Sequence, residues 1–267
     1  MFQKFVATVK IDSLKAMMPT TPDSLVPLPI AKGKGMVASH RGRAAGGARD
    51  NTLEAFEHAI ASGAEMIEFD VRRTSDGVLV LNHDAKFAGR VVKNVTYAEL
   101  QERPGGAEIA TLRQVVDMAQ GRVILDVEIK EAGYEAETLE IVRAKFAPDQ
   151  FVVTSFLDEV VAKVKKLAPD VCAGLLVGQS WMREMLLNKV EDIFPIGRVR
   201  RVKADFLACS FPLADIGVLQ TAAIAGVPVV VWTVNDSWRL KRHLRDRHVA
   251  AVITDMPEKA MEQLKSI

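Results

Sequence analysis

The stretch MIEFDVRRTSDGVLVLNHD, residues 66–84, decides the fold that we predict for the whole chain. Its first part, residues 67–71, is typical of a β-strand because apolar and acidic residues alternate. Side chains on a strand point alternately to its two faces, so the carboxylates of Glu68 and Asp70 share one face. We therefore expect two acidic groups side by side at the end of a strand.

The second part of the stretch predicts a hairpin. Residues 74–77, Thr-Ser-Asp-Gly, favour a tight turn, and an apolar run follows at once over residues 78–81. A parallel crossover needs a dozen or more residues, so this run must return antiparallel. The return brings His83 to roughly the level of Asp70. Carboxylates beside an imidazole suit a metal ion with a neighbouring proton donor or acceptor, although a surface hairpin with solvated charges is the alternative.

Outward from this stretch, apolar strands alternate regularly with amphipathic helices. The apolar runs are nearly continuous, as in a parallel sheet that is covered by helices. With the hairpin arm counted as an outgrowth, eight strands are predicted, at residues 36–40, 67–71, 123–130, 151–155, 172–177, 206–210, 229–233 and 251–254. Eight is the number that closes a (β/α)8 TIM barrel, so we predict this α/β fold with a short hairpin insertion after the second strand.

Several helices are predicted between these strands. The first covers residues 52–62, with Asn51 as its cap. Later helices are expected over residues 181–194 and over residues 214–225.

The domain organisation follows from the length of 267 residues, since α/β barrels of about 250 residues commonly form one domain. Residues 1–35 contain four prolines and predict an irregular N-terminal arm, which covers the bottom of the barrel or reaches a partner subunit. Residues 36–267 are predicted to form a single TIM-barrel domain, with the insertion at about 72–110. The arm and residues 181–201 are candidate contacts in a homo-oligomer.

The composition narrows the class of partner. Hydrophobic residues make up 49% of the chain and the formal net charge is +1, which favours neither disorder nor nucleic-acid binding. A small-molecule substrate fits better. We expect no stable membrane insertion, because no apolar run reaches the ~20 residues of a membrane span, and we expect a cytoplasmic protein. Cys172 and Cys209 lie in apolar runs and are predicted to be buried, reduced thiols.

Charged residues gather at the predicted ends of the first three strands. Strand one ends in His40 and Arg41, and strand three carries Asp126, Glu128 and Lys130 on the face opposite its apolar residues. Charges inside a barrel are costly unless they pair with each other or hold an ion. A structural salt-bridge layer is one interpretation. A divalent cation with oxygen ligands, Ca²⁺ or Mg²⁺, is the other.

A set of short motifs then resembles one known family. The motifs are HRG at 40–42, DNTLEAF at 50–56, IEFDV at 67–71, TSDG at 74–77, NHD at 82–84 and DVEIK at 126–130, with weaker matches in SF at 155–156, VWTVN at 231–235 and ITDMP at 253–257. In this order and with these gaps, the set resembles the glycerophosphodiester phosphodiesterases.

The resemblance implies a role for each matching residue. Family members have two histidines as general acid and base, three metal-binding carboxylates and two phosphate-binding cations. In this chain the histidines match His40 and His83, the metal ligands match Glu68, Asp70 and Glu128, and the phosphate-binding cations match Arg41 and Lys130. Which histidine is the acid is left open, as is the choice between water and the substrate's own hydroxyl as nucleophile.

Two further residues carry hypotheses. Asp50 stands where the family usually has a glutamate, in a Pro-Glu-Asn-Thr motif that reads Arg-Asp-Asn-Thr here, and it is a candidate for the shell around the metal. Trp232 follows the seventh strand and either provides an apolar wall for the substrate or packs in the core.

Together these observations predict metal-dependent hydrolysis of glycerophosphodiesters to sn-glycerol 3-phosphate and an alcohol. The alternatives are a lysophospholipase D-like or other sugar-phosphate diester hydrolase, a glycosidase that uses paired carboxylates, and a non-catalytic barrel that only binds its ligand. A glycosidase has no need of the cations Arg41 and Lys130, which makes it the weaker of these enzymes.

Overall fold

The computed structural model describes residues 26–29, 35–45, 47–178, 192 and 194–266. Most of the arm predicted over residues 1–35 lies outside these ranges. Nearly all of the helix predicted over residues 181–194 also lies outside them.

The described strands include a closed parallel barrel. In chain order the strands are β1 (Met36–His40), β2 (Met66–Arg73), β3 (Leu79–Leu81), β4 (Lys86–Phe87), β5 (Arg90–Val91), β6 (Ile124–Ile129), β7 (Phe151–Ser155), β8 (Cys172–Val177), β9 (Phe206–Ser210), β10 (Val229–Trp232) and β11 (Val249–Thr254). Strands β1, β2 and β6 to β11 pair in parallel around the ring, and β1 closes it by pairing with both β2 and β11. The predicted eight-stranded TIM barrel is confirmed.

Helices cover the outside of the barrel. They are α1 (Leu53–Ala61), α2 (Tyr97–Gln101), α3 (Leu112–Ala119), α4 (Glu135–Arg143), α5 (Asp158–Leu167), α6 (Ile196–Val202), α7 (Phe211–Leu213), α8 (Leu219–Ile224), α9 (Ser237–Arg245) and α10 (Pro257–Lys265), with short 3₁₀ turns at Val92–Asn94, Gly106–Glu108 and Pro148–Gln150. The apolar faces of the helices pack on the outward side chains of the strands, which form the larger core. A second apolar cluster fills the barrel interior.

The cap predicted for the first helix is wrong by one residue. Thr52 has extended backbone angles, and its hydroxyl oxygen accepts a hydrogen bond from the amide of Ala55 at 3.2 Å. Asn51 instead has a positive φ of 59°, which turns its side chain toward the barrel. The cap residue is therefore Thr52, and Asn51 is left to bond inside the site.

A glycine allows α1 to approach the end of β1. Gly42 has a φ of 75°, and a Cβ atom at this position would lie 2.7 Å from Cδ1 of Phe56. Because any larger residue would meet both the strain and the clash, the third position of the His-Arg-Gly motif requires glycine.

The helix predicted over residues 214–225 is interrupted in the structure. The chain forms α7, then a π-helical turn over Ala214–Val218, and only then α8. Gly217 breaks the continuity, because its φ of 122° is not helical. Hydrophobic periodicity could not locate this break.

The predicted hairpin is confirmed, with β3 antiparallel to β2 and Leu81 opposite Val71. The insertion that follows contains β4, β5 and α2, and it packs on the hairpin through a small apolar core of its own. The buried members of this core are Val80, Val92, Leu100 and Ile109. His83 thus sits between the barrel and a separately packed unit.

Residues 26–29 lie against the amino-terminal end of the barrel. The amide of Val26 donates to Asp205 Oδ1 at 2.8 Å, and both Val26 and Leu28 pack on the interior cluster. Asp205 immediately precedes β9 and also binds Lys165 Nζ at 2.8 Å. This part of the predicted arm therefore covers the bottom of the barrel.

Two other features concern the cysteines and the membrane-spanning potential of the helices. Cys172 and Cys209 are buried free thiols, as predicted. Among the described residues, none of the helices combines the length and the apolar character that a bilayer span requires.

Candidate active site

Three carboxylates meet inside the carboxyl end of the barrel. Glu68 and Asp70 project inward from β2, and Glu128 projects inward from β6, where it lies directly opposite Asp70 in the strand register. One oxygen from each of the three lies within 4.8 Å of the others, and all three residues are buried. We call these residues the acidic cluster. The alternation read from residues 66–84 thus placed two of them correctly.

Two cations face the acidic cluster. Lys130 Nζ lies 2.9 Å from Asp70 Oδ1 and 2.6 Å from Glu128 Oε1. Arg41 Nε lies 3.1 Å from Asp70 Oδ2, and the amide of Arg41 donates to Glu68 Oε2 at 3.1 Å. The predicted salt-bridge layer is therefore present, and it shares its residues with the predicted metal site.

A fourth carboxylate, Asp126, lies beside the acidic cluster on β6 and opposite Glu68. Its side chain accepts a hydrogen bond from the hydroxyl of Thr154 at 2.7 Å. Burial raises the pKa of Asp126 to about 7, against the lowering effect of that hydrogen bond. If all four carboxylates were ionised, their four negative charges and the two positive charges of Arg41 and Lys130 would leave a net charge of −2.

The acidic groups perturb one another because they are buried. Burial and then the neighbouring carboxylates raise the pKa of Glu68 well above its usual range. Burial also raises the pKa of Glu128 to about 7, although Lys130 opposes this. Asp70 differs, since the charges of Lys130 and Arg41 outweigh its burial and hold its pKa at about 2.

These residues fit a divalent cation. The donors are carboxylate oxygens, which hard cations such as Mg²⁺ and Ca²⁺ prefer. A doubly positive ion would balance the excess charge and offset the repulsion that, together with burial, raises the pKa values of Glu68 and Glu128. The acidic cluster could therefore hold a metal ion.

His40 lies at the end of β1 and is oriented by a residue that we did not predict. Its Nδ1 is 2.7 Å from Asp255 Oδ1, and Asn235 Nδ2 donates to Asp255 Oδ2 at 2.6 Å. Burial raises the pKa of Asp255, but its hydrogen bond to His40 and the charge of His40 bring it below the usual range. Asp255 and Asn235 follow the eighth and seventh barrel strands, within the motifs ITDMP and VWTVN.

His83 lines the same cavity from the hairpin. Its Nδ1 lies 2.8 Å from Asp84 Oδ1, and its side chain is 36% exposed. Partial burial and the nearby charge of Lys130 lower the pKa of His83, so the neutral imidazole predominates near pH 7. The two histidines predicted from distant parts of the sequence thus face one cavity.

The opposite side of the cavity is apolar. It is formed by Phe156, Leu176, Trp232 and Ile253, which come from four different strand ends. The rings of Phe156 and Trp232 meet edge to face, with their centroids 5.6 Å apart. Trp232 also packs against the interior cluster, so it lines the cavity and packs in the core.

Asp50 lies beside the acidic cluster but outside it. It accepts two hydrogen bonds of 2.6 Å from Arg43, and its Oδ2 lies 3.9 Å from Arg41 Nη1. Arg41 also contacts Asp70, so it connects Asp50 to the acidic cluster. Whether it belongs to the shell of a bound metal stays a prediction.

Asn51 is the neighbour that sequence reasoning misassigned. Its Nδ2 donates to Asp70 Oδ2 at 2.8 Å, and its Oδ1 accepts from the amide of Asp70 at 3.2 Å. Both bonds fix the orientation of the Asp70 carboxylate. A polar residue immediately before a capping threonine was the signal that could have identified it.

Comparison with known proteins shows that the site residues lie in a segment shared with one protein family. Residues 40–259 match the model of the glycerophosphoryl diester phosphodiesterase family. A glycerophosphodiester phosphodiesterase of Caldanaerobacter subterraneus subsp. tengcongensis is 27% identical over 245 residues, which cover 84% of this chain and 96% of that protein. Another from Bacillus altitudinis is 32% identical over 161 residues, or 52% of this chain and 65% of that protein.

The fold of the chain also matches that of a solved structure. The crystal structure of a glycerophosphodiester phosphodiesterase from Thermotoga maritima superposes with a TM-score of 0.70 and 26% sequence identity. The match covers 87% of this chain and 99% of that one.

Proposed function

Because the chain belongs to the glycerophosphoryl diester phosphodiesterase family, we propose that it hydrolyses glycerophosphodiesters to sn-glycerol 3-phosphate and an alcohol. The observation that carries this proposal is one cavity lined by His40, His83, Arg41, Lys130 and members of the acidic cluster. We also propose that residues 36–267 act as one catalytic domain and that residues 1–35 form an arm.

Each polar group has a task in this reaction. A phosphodiester carries one negative charge that repels a nucleophile, and the positive charges of Arg41 and Lys130 would offset it as charge builds up on the phosphoryl oxygens. Glu68, Asp70 and Glu128 would hold Mg²⁺ or Ca²⁺. When bound, such an ion supplies Lewis-acid stabilisation to a phosphoryl oxygen.

The two imidazoles would move the protons. One of His40 and His83 accepts the proton of the nucleophile, which is either water or the substrate's own glycerol hydroxyl, and the other donates a proton to the oxygen of the departing alcohol. The P–O bond to the alcohol breaks as the new P–O bond forms. Where the hydroxyl attacks, water then opens the cyclic phosphate to give sn-glycerol 3-phosphate. His40 is held by Asp255 at Nδ1, which leaves its Nε2 for this transfer.

The apolar side of the cavity favours a second candidate with the same reacting atoms. Phe156, Leu176 and Trp232 offer contact to a hydrocarbon group, as in a lysophospholipid. A lysophospholipase D-like activity is therefore the alternative substrate choice for this site.

Product formation tests both candidates. We would measure the release of glycerol 3-phosphate from glycerophosphocholine and glycerophosphoethanolamine, and the release of choline from lysophosphatidylcholine, each with and without a chelator. His40→Ala and His83→Ala should each lower kcat by ~10²-fold or more. His248→Ala, at an exposed histidine outside the cavity, is the matched control and should keep the wild-type rate.

The outcomes separate the proposals. Full activity in chelator would refute the metal assignment, and near-wild-type rates of a histidine variant would remove that residue from the mechanism. Turnover of lysophosphatidylcholine alone would select the second candidate. Divalent binding without turnover of any diester would favour a non-catalytic barrel.

A further inference from the structure

Arg72 holds the peptide that carries His83. It lies near the end of β2, and only 8% of its surface is exposed. Its Nη2 donates to the His83 carbonyl at 2.7 Å, and its Nε is 3.1 Å from the carbonyls of both Asn82 and His83. Its remaining nitrogen, Nη1, pairs with Glu131. The planar guanidinium group thus binds two main-chain oxygens and a carboxylate at once.

The far end of this contact is itself anchored to the barrel. Glu131 directly follows Lys130, and its amide donates to the hydroxyl of Tyr134 at 3.1 Å. That hydroxyl in turn donates to the carbonyl of Val71 at 2.8 Å. The Arg72–Glu131 pair therefore ties the hairpin to the strand end that carries Glu128 and Lys130.

The two histidines are held in different ways. The ring of His40 is fixed directly by Asp255, whose side chain is only 21% exposed. The ring of His83 contacts Asp84, whose side chain is 79% exposed. Exposed ion pairs of this kind contribute little to orientation. Among the described contacts, those through the main chain are the ones that hold His83 firmly.

We propose that Arg72 is a positioning residue that sets the place of His83 over the acidic cluster through the main chain. Arg72 is not among the described residues that line the cavity, so it acts without touching the substrate. This inference rests on the proposed function, because it assumes that His83 transfers a proton in that reaction. A displacement of about 1 Å in a reacting group can cost ~10²-fold in rate.

The first test compares two neighbouring arginines. Arg73 lies on the same strand and also binds a carbonyl of the following loop, that of Gly133 at 3.1 Å, but it has no described bond to His83. With glycerophosphocholine as substrate, Arg72→Met should lower kcat by about 10-fold or more and change KM by less than about 3-fold. Arg73→Met should retain the wild-type values.

Conservative variants separate geometry from charge. Arg72→Lys keeps the charge opposite Glu131 but lacks the planar guanidinium group that bonds the two carbonyls and the carboxylate together. Its kcat should therefore stay below that of the wild type. Glu131→Gln keeps an acceptor for Arg72 and should lower kcat less than Arg72→Met does. These two variants also serve if Arg72→Met proves too unstable to purify. Wild-type kcat in Arg72→Lys would overturn the proposal.

A double-mutant cycle tests whether Arg72 acts through His83. The effect of Arg72→Met on kcat should disappear in a His83→Ala background and persist in a His40→Ala background. An equal loss of kcat in the His83→Ala background would show a general structural role and would overturn the proposal.

Hydrogen–deuterium exchange gives a readout that does not depend on activity. Amides over residues 81–86 should exchange faster in Arg72→Met than in the wild type or in Arg73→Met, because the hairpin has lost its anchor. Unchanged exchange would refute the anchoring role. If the wild type hydrolyses no diester, the proposed function fails, and the exchange result alone decides whether Arg72 holds the His83 segment.

Discussion

His40 Nδ1 lies 2.7 Å from Asp255 Oδ1, so a hydrogen bond joins the ends of the first and the last barrel strands. The same carboxylate accepts from Asn235 through its other oxygen. A carboxylate held at both oxygens determines which ring nitrogen of the histidine carries the proton. The tautomer with a proton on Nδ1 presents an unprotonated Nε2 to the cavity.

Replacement of Asp255 should therefore impair the reaction without unfolding the barrel. In Asp255→Asn the amide can donate to Nδ1 and so stabilise the opposite tautomer, and we expect kcat to fall by roughly 10²-fold or more. Steady-state kinetics and a thermal melt would measure this. Asp246→Asn is the control, because Asp246 makes a similar pair with His248, at 3.0 Å, outside the cavity. Equal kcat values in the two variants would contradict the assigned role.

A divalent cation should stabilise the folded protein through the acidic cluster. Binding to the folded state alone adds about 2.7 kcal/mol when the ion is present at 100 times its Kd. We expect Mg²⁺ or Ca²⁺ to raise Tm in chelator-treated protein and Glu128→Gln to abolish most of that rise. Glu57→Gln, which removes a surface partner of Arg122, should respond like the wild type. A Tm rise that survives in Glu128→Gln would place the ion elsewhere.

Asp126 should make the metal-free protein less stable as the pH rises. The folded protein keeps the proton of Asp126 up to about pH 7, whereas the unfolded chain releases it near pH 4. The folded state thus binds more protons between these values, and its stability falls as the pH increases through this window. Asp126→Asn removes the titration but can still accept from Thr154. We expect it to raise the free energy of unfolding at pH 8 by on the order of 2 kcal/mol and to change it little at pH 4.

Urea titrations in chelator at the two pH values would measure this difference. An Asp126→Asn variant that is equally stabilised, or equally destabilised, at pH 4 and pH 8 would contradict the buried titration. Each comparison is between the variant and the wild type at the same pH, so the contributions of the other titrating groups cancel to first order.

Trp232 should affect both substrate binding and stability. Its ring lines the cavity and also contacts Phe156, so Trp232→Ala should raise KM several-fold and lower the free energy of unfolding by about 3 kcal/mol. Trp238→Ala, at a tryptophan that is 64% exposed, should change neither. A loss of stability with unchanged KM would assign Trp232 to the core alone.

The barrel and the acidic cluster could be predicted from sequence because both follow from short periodic patterns. Alternation on β2 and β6 fixes which side chains face inward, and parallel pairing brings Asp70 level with Glu128. His83 could be predicted because the turn at residues 74–77 leaves room only for an antiparallel return. These inferences needed only the periodicity of each strand, the length of the turn and the geometry of parallel pairing.

The supporting residues could not be predicted in the same way. Asp255 contacts His40 across 215 positions of sequence, and Arg72 acts through the carbonyls of another segment, which have no sequence signature. Asn51 was misassigned because Asn and Thr are both good caps and only the backbone angles decide between them. Such contacts depend on how the strand ends converge, which periodicity does not encode.

The insertion after β2 has its own small core around Val80, Val92 and Leu100, while the acidic cluster belongs to the barrel proper. The position of His83 therefore depends on the small insertion, whereas the acidic cluster depends on the much larger barrel. The insertion can unfold locally while the barrel stays folded. We expect activity to be lost at urea concentrations below those that unfold the barrel. In a urea titration the enzyme rate should fall before the far-ultraviolet circular dichroism signal changes. Inactivation of this protein would then report on a hairpin module rather than on global unfolding.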